Sequence, residues 1–166
     1  MLVMAKNEET VEPTDDFPNT GRLIGIDYGT VRIGIAICDA SQSICSPFET
    51  YYRKTLQKDG EYFQRMIKEE QVVGLVIGLP VHASGDDSKK SIEAKGFAKW
   101  LQKVTELPIK MFDERYTSLL ADQLMGVANL TKKQRKARLD KIAAQMILSG
   151  FLESARNDES PRPIED

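Results

Sequence analysis

A short apolar segment, Val72–Ile77, constrains the fold of this chain more than any other part of the sequence. It contains no polar side chain, ends at Gly78-Leu79-Pro80, and lies between two stretches with helical spacing, residues 58–70 and 88–105. Strands that are buried on both faces occur in parallel sheets, where helices cover each side. The segment therefore predicts an α/β chain in which this segment is a buried parallel strand.

The other predicted elements fit into the same sheet. The apolar run at 23–27 and the alternating run at 31–38 flank a tight turn, Tyr28-Gly29-Thr30, which predicts a hairpin. Further strands are predicted at 48–52 and 109–112, and further helices at about 118–125 and about 137–154. The order βββαβαβαα predicts an α/β fold with a five-stranded mixed sheet flanked by helices.

Length and composition favour a single globular domain. The chain has 166 residues, of which 41% are hydrophobic, and this is enough to build one ordinary core. We expect the domain to span residues 20–155. Residues 1–19 and 156–166 are rich in acidic residues and proline, so we expect a flexible extension at each end.

Cysteine content and hydropathy exclude several classes of protein. Cys38 and Cys45 are accompanied by a single histidine, which excludes a Cys/His zinc site and a disulfide framework and predicts free thiols. No apolar run approaches the roughly 20 residues that span a bilayer. The N-terminus also lacks the apolar core of a signal peptide. We therefore expect a cytoplasmic protein without a membrane partner.

Acidic residues end two of the predicted strands. Asp27 directly follows the first apolar run, and Asp113 and Glu114 follow the last one. In open α/β sheets, ligands bind beyond the carboxyl ends of the strands, so both groups of acids should reach the same edge.

Asp140 is a third acid in an unexpected place. At 100° per residue, it lies within about 40° of the apolar residues Ala144, Ile147 and Phe151 around the last helix. A carboxylate on an apolar face needs a partner, because desolvating it alone costs several kcal/mol. Hard cations such as Mg²⁺ and Mn²⁺ prefer carboxylate oxygens. Two such ions can hydrolyse a phosphodiester without a nucleophilic side chain, and the sequence offers no obvious nucleophile.

Each acid also has a simpler interpretation. Asp27 can cap the tight turn that follows it, and Glu114 can pair with a surface lysine or arginine. Asp140 can pair with a basic neighbour on its own helix, namely Lys136, Arg138 or Lys141. The joint occurrence of three acids at one predicted sheet edge favours a site.

Candidate substrate contacts surround the acids. Glycines in or beside the turns, Gly29 and Gly34 among them, let a phosphate approach the backbone, and arginines can hold it in a fork. Five of the seven residues 132–138 are basic, although the formal net charge of the chain is −2. A basic segment beside an acidic site suits a polyanion, and a solvated linker is the alternative. The candidates are Thr30, Arg32, Gly78, Gly85, Arg115, Lys136 and Arg138.

Four ordered motifs resemble those of a known family. They are Ile24–Thr30 with Arg32–Ala36, Val76–Pro80 with Gly85, Phe112–Ser118, and Asp140 with the apolar positions up to Leu152. Together, they resemble the YqgF/RuvX family over roughly residues 21–154. The resemblance implies an RNase H-like fold related to RuvC-type Holliday junction resolvases. It also implies metal-dependent hydrolysis of phosphodiester bonds, with maturation of the 5′ end of 16S rRNA as the leading role.

The resemblance assigns the acidic site to Asp27, the Asp113-Glu114 pair and Asp140. Because neighbouring strand residues face opposite ways, only one of the pair is expected to bind metal. We prefer Glu114, so the predicted ligands of Mg²⁺ or Mn²⁺ are Asp27, Glu114 and Asp140, with Asp113 as the second choice. The chain departs from the family pattern at residues 81–84 and at Lys141, which affects substrate detail more than the fold.

The expected partner is nucleic acid, either precursor rRNA or the pre-ribosome, and three alternatives remain. A Holliday junction resolvase would use the same site on branched DNA and would need a dimer, but the sequence does not decide between monomer and homodimer. An actin-like ATPase has a similar phosphate loop but needs two such domains, for which this chain is too short. A non-catalytic RNA-binding ribosome-assembly factor would gain nothing from acids that face phosphate.

Overall fold

Five strands form one mixed sheet in the order β3-β2-β1-β4-β5. The computed structural model describes residues 16–79, 89–113 and 130–159. Within these ranges the strands are β1 (Arg22–Asp27), β2 (Arg32–Cys38), β3 (Cys45–Tyr52), β4 (Val72–Leu79) and β5 (Ile109–Asp113). The β1-β2 and β2-β3 pairs are antiparallel, whereas the β1-β4 and β4-β5 pairs are parallel. The predicted five-stranded mixed sheet is therefore confirmed.

Helices cover both faces of this sheet. The described helices are α1 (Leu56–Glu70), α2 (Lys89–Thr105) and α3 (Lys132–Glu159). Side chains alternate between the two faces of a strand, and each face of β1 belongs to a different buried cluster. Ile26 packs in one cluster with Phe63 of α1 and Leu101 of α2, whereas Leu23 packs in the other with Leu148 of α3. Helices α1 and α2 thus lie on one face, and α3 lies on the other.

Small residues let α3 lie close to the centre of the sheet. Gly25 and Ala36 are direct partners across β1 and β2, and both are buried. A Cβ added at Gly25 would lie 2.7 Å from the Leu148 Cβ and 2.8 Å from the Ala144 carbonyl oxygen. Because the interior is close-packed, any side chain at Gly25 would push the helix away from the sheet.

Helix α3 begins at Lys132, earlier than the predicted start near residue 137. A capping box explains the difference: the Thr131 hydroxyl accepts from the Gln134 N–H at 3.1 Å, and the Gln134 side chain accepts from the Thr131 N–H at 3.0 Å. The basic segment is therefore helical and not a linker before the helix. The helix also continues to Glu159, beyond the predicted end near residue 154. The predicted helix at 118–125 lies outside the described residues.

Strand β3 begins at Cys45, earlier than the predicted start at residue 48. The predicted strand began only after Pro47, and proline has no N–H to donate to a neighbouring strand. Pro47 pairs with Ala36 inside β3, and β3 is the outermost strand on its side of the described sheet. Proline is tolerated in an edge strand when the missing donor faces away from the neighbour.

The buried carboxylate of Asp59 stabilises the connection between β3 and α1 through hydrogen bonds. Asp59 is 1% exposed and accepts hydrogen bonds from the Tyr51 hydroxyl at 2.7 Å, the Lys54 N–H at 2.9 Å and Arg53 Nε at 3.1 Å. Burial alone would raise the pKa of Asp59, but these donors outweigh it and hold the pKa below its usual value. The Arg53 guanidinium also lies over the Tyr28 ring, 5.7 Å from its centroid. The network thus supports the turn that follows β1.

Asp59→Asn is expected to lower the free energy of unfolding by about 1–3 kcal/mol near neutral pH, because it removes a charged acceptor from three donors. Since folding lowers the pKa of Asp59, its stabilisation is present above the unfolded pKa of about 4 and is lost as the pH falls through the folded pKa. Urea unfolding at about pH 7 and about pH 3 should therefore show a difference between wild type and variant that shrinks in acid. Glu61→Gln, an exposed acid on the same helix, is the matched control and should change little at either pH. An equal effect of Asp59→Asn at both pH values would contradict this account.

Two further observations bear on the class of protein. Cys38 and Cys45 are free thiols, in agreement with the prediction, and burial raises the pKa of each. None of the described helices has the length and apolar character needed to cross a bilayer.

Candidate active site

The site is built around the end of β1. Asp27 is the last residue of this strand and is half-buried. Alternation along β1 gives Asp27 the same face as Leu23 and Gly25, which is the face covered by α3. Its direct partner across the antiparallel pair is Gly34 of β2.

Gly34 brings Asp140 of α3 to this strand pair. A Cβ added at Gly34 would lie 2.0 Å from the Asp140 carbonyl oxygen and 3.0 Å from the Asp140 Cβ. Directly opposed residues of antiparallel strands have Cβ atoms about 5 Å apart. The Cβ atoms of Asp27 and Asp140 therefore lie within about 8 Å of each other, close enough for both carboxylates to reach one ion or a pair of neighbouring ions. The sequence interpretation of Gly34 as a phosphate contact missed its role as the contact surface for α3.

Asp140 lies on the predicted face of its helix. Ala144 and Ile147, which were expected to share that face, are completely buried, and Phe151 packs against the same cluster. The partner of Asp140 was not foreseen. Arg32 Nε of β2 donates to Asp140 Oδ2 at 2.7 Å, and the two residues are 108 positions apart in sequence.

The alternation along β5 assigns Asp113 to one face of the sheet. Phe112 faces α3, because a Cβ added at Gly150 would lie 2.9 Å from its ring, whereas Met111 packs in the cluster of α1 and α2. Asp113 shares the alternation of Met111, so it belongs to the face opposite Asp27 and Asp140. Glu114, the preferred ligand, lies outside the described residues.

The predicted substrate contacts are distributed around this corner of the sheet. Thr30 is exposed in the β1-β2 turn, and Gly78 is buried near the end of β4, opposite Phe112 of β5. Lys136 and Arg138 are exposed in the first turns of α3. Gly85 and Arg115 lie outside the residues that the structure describes.

The start of α3 concentrates positive charge beside the carboxylates. Its first turn contains no acidic residue, although a helix N-terminus favours negative charge. Lys133 reaches back to β3 and lies 5.5 Å from the centroid of the Tyr52 ring. Arg138 and Lys141 line a groove between α3 and Pro47 of β3. Such unfavourable clustering at a helix start is explained if the segment faces a polyanion.

The donor set suits a hard divalent cation. Two aspartates supply carboxylate oxygens, which Mg²⁺ and Mn²⁺ prefer, and both are partly open to solvent. Across residues 16–79, 89–113 and 130–159, no three His, Cys, Asp or Glu side chains gather closely enough to hold an ion. The predicted third ligand, Glu114, falls outside these ranges, so the described part of the site fits the metal but does not complete its ligand set.

Comparison with known sequences identifies a consistent group of relatives. The family model described as "RuvX: Holliday junction resolvase" matches residues 21–154. A protein of Rhodopirellula baltica named "Putative pre-16S rRNA nuclease" is 45% identical over 147 residues, which cover 89% of this chain and 85% of that protein. A protein of Zymomonas mobilis with the same name is 37% identical and covers 92% of this chain and 93% of its own length.

Comparison with solved structures supports the fold. RuvC of T. thermophilus in complex with a Holliday junction substrate has a TM-score of 0.51 at 10% identity, covering 82% of this chain and 96% of that one. The Fowlpox virus resolvase bound to Holliday junction DNA has a TM-score of 0.50 at 8% identity, covering 81% and 98%. At such low identity the likeness shows the shared RNase H-like fold alone.

Proposed function

Because the chain belongs to the RuvX family, we propose that it is a divalent-metal-dependent nuclease that matures the 5′ end of precursor 16S rRNA. The family membership places it among hydrolases of phosphodiester bonds. The proposal of metal dependence rests on one observation: Asp27 and Asp140 both lie next to Gly34 at the carboxyl end of β1. The names of the relatives support the rRNA substrate.

We assign the metal to Asp27, Glu114 and Asp140. Mg²⁺ or Mn²⁺ held by these residues would supply Lewis-acid chemistry for the attack of water on the phosphodiester. The protein contributes orientation: the strand pair holds Asp27, and the contact of α3 with Gly34 holds Asp140. Partial burial limits access of bulk water to both carboxylates and so strengthens their attraction for a cation.

The basic start of α3 is assigned to the phosphates that flank the scissile bond. Lys136 and Arg138 are exposed, and they lie four and two residues before Asp140 on the same helix. A backbone bound there would run past the carboxylates, and its negative charge would offset the unfavourable positive charge at the helix start. Thr30 and Gly78 remain candidate substrate contacts, as do Gly85 and Arg115, which lie beyond the described residues.

Lys136→Ala and Arg138→Ala are each expected to weaken binding of precursor rRNA at low salt and to reduce the slope of log Kd against log salt concentration by about one. Fluorescence anisotropy over a salt series, with chelator to prevent cleavage, measures this slope. Lys103→Ala is the control, since Lys103 is an exposed lysine in the last turn of α2. An identical loss of slope in all three variants would show that the start of α3 has no special role.

The decisive experiment compares wild type on precursor 16S rRNA and on a four-way DNA junction, each with Mn²⁺ and with chelator. Cleavage of the precursor rRNA at its 5′ side, abolished by chelator, is the expected result. Symmetrical cleavage of the junction with no action on the rRNA would instead establish a Holliday junction resolvase, the activity that the family description names. Cleavage that persists in chelator would overturn the metal-dependent mechanism.

A non-catalytic role in ribosome assembly is tested in cells. Replacement of the chromosomal gene with the Asp27→Asn variant should reproduce the rRNA-processing defect of a deletion. A normal phenotype with Asp27→Asn, combined with a defect in the deletion, would show that the protein acts by binding alone.

A further inference from the structure

We infer that Arg32 is a positioning residue that orients Asp140 for metal binding, and not a direct contact to the substrate phosphate. Sequence patterning had grouped Arg32 with the substrate contacts, because arginine often binds phosphate. The inference rests on the metal site of the proposed function, and it adds Arg32 to the residues that support metal binding.

Strand alternation and the packing of α3 on Gly34 together place Arg32 next to Asp140. Alternation along β2 puts Arg32 and Gly34 on the same face of the sheet, one repeat apart at about 6.6 Å. The backbone of Asp140 rests on Gly34, so its carboxylate lies within reach of an arginine side chain that starts one repeat earlier. The distance of 2.7 Å between Arg32 Nε and Asp140 Oδ2 is that of a charge-assisted hydrogen bond.

Partial burial makes this ion pair different from an ordinary surface contact. The side chains of Arg32 and Asp140 are 27% and 19% exposed. The pair of Arg22 and Glu70 at the opposite end of β1 has the same 2.7 Å separation but is 44% and 31% exposed. Exposed pairs contribute little to order because water and salt screen them, whereas a sheltered pair restrains its partner more strongly.

The contact engages only one oxygen of the carboxylate. Arg32 hydrogen-bonds Oδ2 of Asp140, and within residues 16–79, 89–113 and 130–159 no side chain or N–H donates to Oδ1, which would therefore be the oxygen that ligates a cation. The guanidinium is always charged, and its charge also reduces the repulsion between Asp27 and Asp140 before an ion is bound. Partners that hydrogen-bond a metal-ligating side chain typically contribute 10- to 100-fold to metal affinity.

The test measures metal binding and nucleic-acid binding separately on the full chain. Titration calorimetry with Mn²⁺ should show that Arg32→Gln weakens the metal Kd by about tenfold or more, with partial recovery in Arg32→Lys. Arg22→Gln is the matched control and should bind Mn²⁺ like wild type, because its ion pair lies away from the site. Binding of precursor rRNA in chelator, measured by anisotropy, should be unchanged in Arg32→Gln.

Several outcomes would overturn the inference. Unchanged Mn²⁺ affinity with weakened rRNA binding would make Arg32 a phosphate contact, and tighter Mn²⁺ binding would make it a competing cation. If Arg32→Gln fails to fold by circular dichroism, Arg32→Lys decides between the same outcomes. Absence of Mn²⁺ binding by the wild type would refute the proposed function itself. Equal Mn²⁺ affinity of the wild type and Arg32→Gln would refute only the role of Arg32.

Discussion

Asp27→Asn is expected to lower the rate of precursor 16S rRNA cleavage by roughly 10²- to 10³-fold or more. Asp27 ends β1 on the face of α3, directly opposite Gly34, where Asp140 also contacts the sheet. An amide has nearly the shape of a carboxylate but removes the negative charge that attracts the cation. Single-turnover cleavage over a range of Mn²⁺ concentrations measures the loss, and thermal unfolding shows whether the fold is retained.

Asp113→Asn is the matched control for this experiment. It removes the same charge from the end of β5, which β4 separates from β1, and strand alternation assigns Asp113 to the opposite face of the sheet. We therefore expect little effect of Asp113→Asn on cleavage and a large effect of Glu114→Gln. Loss of cleavage with Asp113→Asn but not with Glu114→Gln would make Asp113 the ligand and would show that the alternation breaks at the end of β5.

Gly34→Ala is expected to lower the free energy of unfolding by at least about 3 kcal/mol, near the upper end of the usual cost of overpacking. The added methyl group would lie 2.0 Å and 2.4 Å from the carbonyl oxygen and carbonyl carbon of Asp140. These are backbone atoms, which cannot rotate away as a side chain can, so α3 must move from β2. That movement should also weaken Mn²⁺ binding, because it separates Asp140 from Asp27.

Gly96→Ala provides the matched control within the same chain. Apart from its chain neighbours and the adjacent backbone of its own helix, no atom of the described residues lies within 4 Å of a Cβ added at Gly96, which is exposed in α2. The substitution should stabilise the protein by about 0.5–1 kcal/mol through the higher helix propensity of alanine. Urea unfolding and Mn²⁺ calorimetry of both variants give the comparison. A Gly34→Ala protein with wild-type stability and metal affinity would refute the close contact between α3 and β2.

Local patterns in the sequence were sufficient for most of the architecture. The unbroken apolar segment Val72–Ile77 predicted the buried parallel strand β4, and the alternation in 31–38 predicted the hairpin of β1 and β2. Errors occurred at element ends, at Pro47 and near residue 137. At Pro47, the edge position of β3 permits a proline inside the strand, and near residue 137 a capping box at Thr131 starts the helix earlier.

Only part of the candidate site could be predicted from local sequence patterns. Sequence by itself determined that Asp27 ends a strand and that Asp140 lies on the inner face of a helix, because both follow from periodicity within a few residues. Only the tertiary structure decided that Arg32 pairs with Asp140, that Gly34 accommodates the helix backbone, and that Asp113 belongs to the opposite face. These facts depend on how α3 packs on the sheet. Asp140 of α3 and Arg32 of β2 are more than 100 residues apart in sequence. Their contact is set by side-chain volumes where the helix meets the sheet, and local periodicity in the sequence carries no information about it.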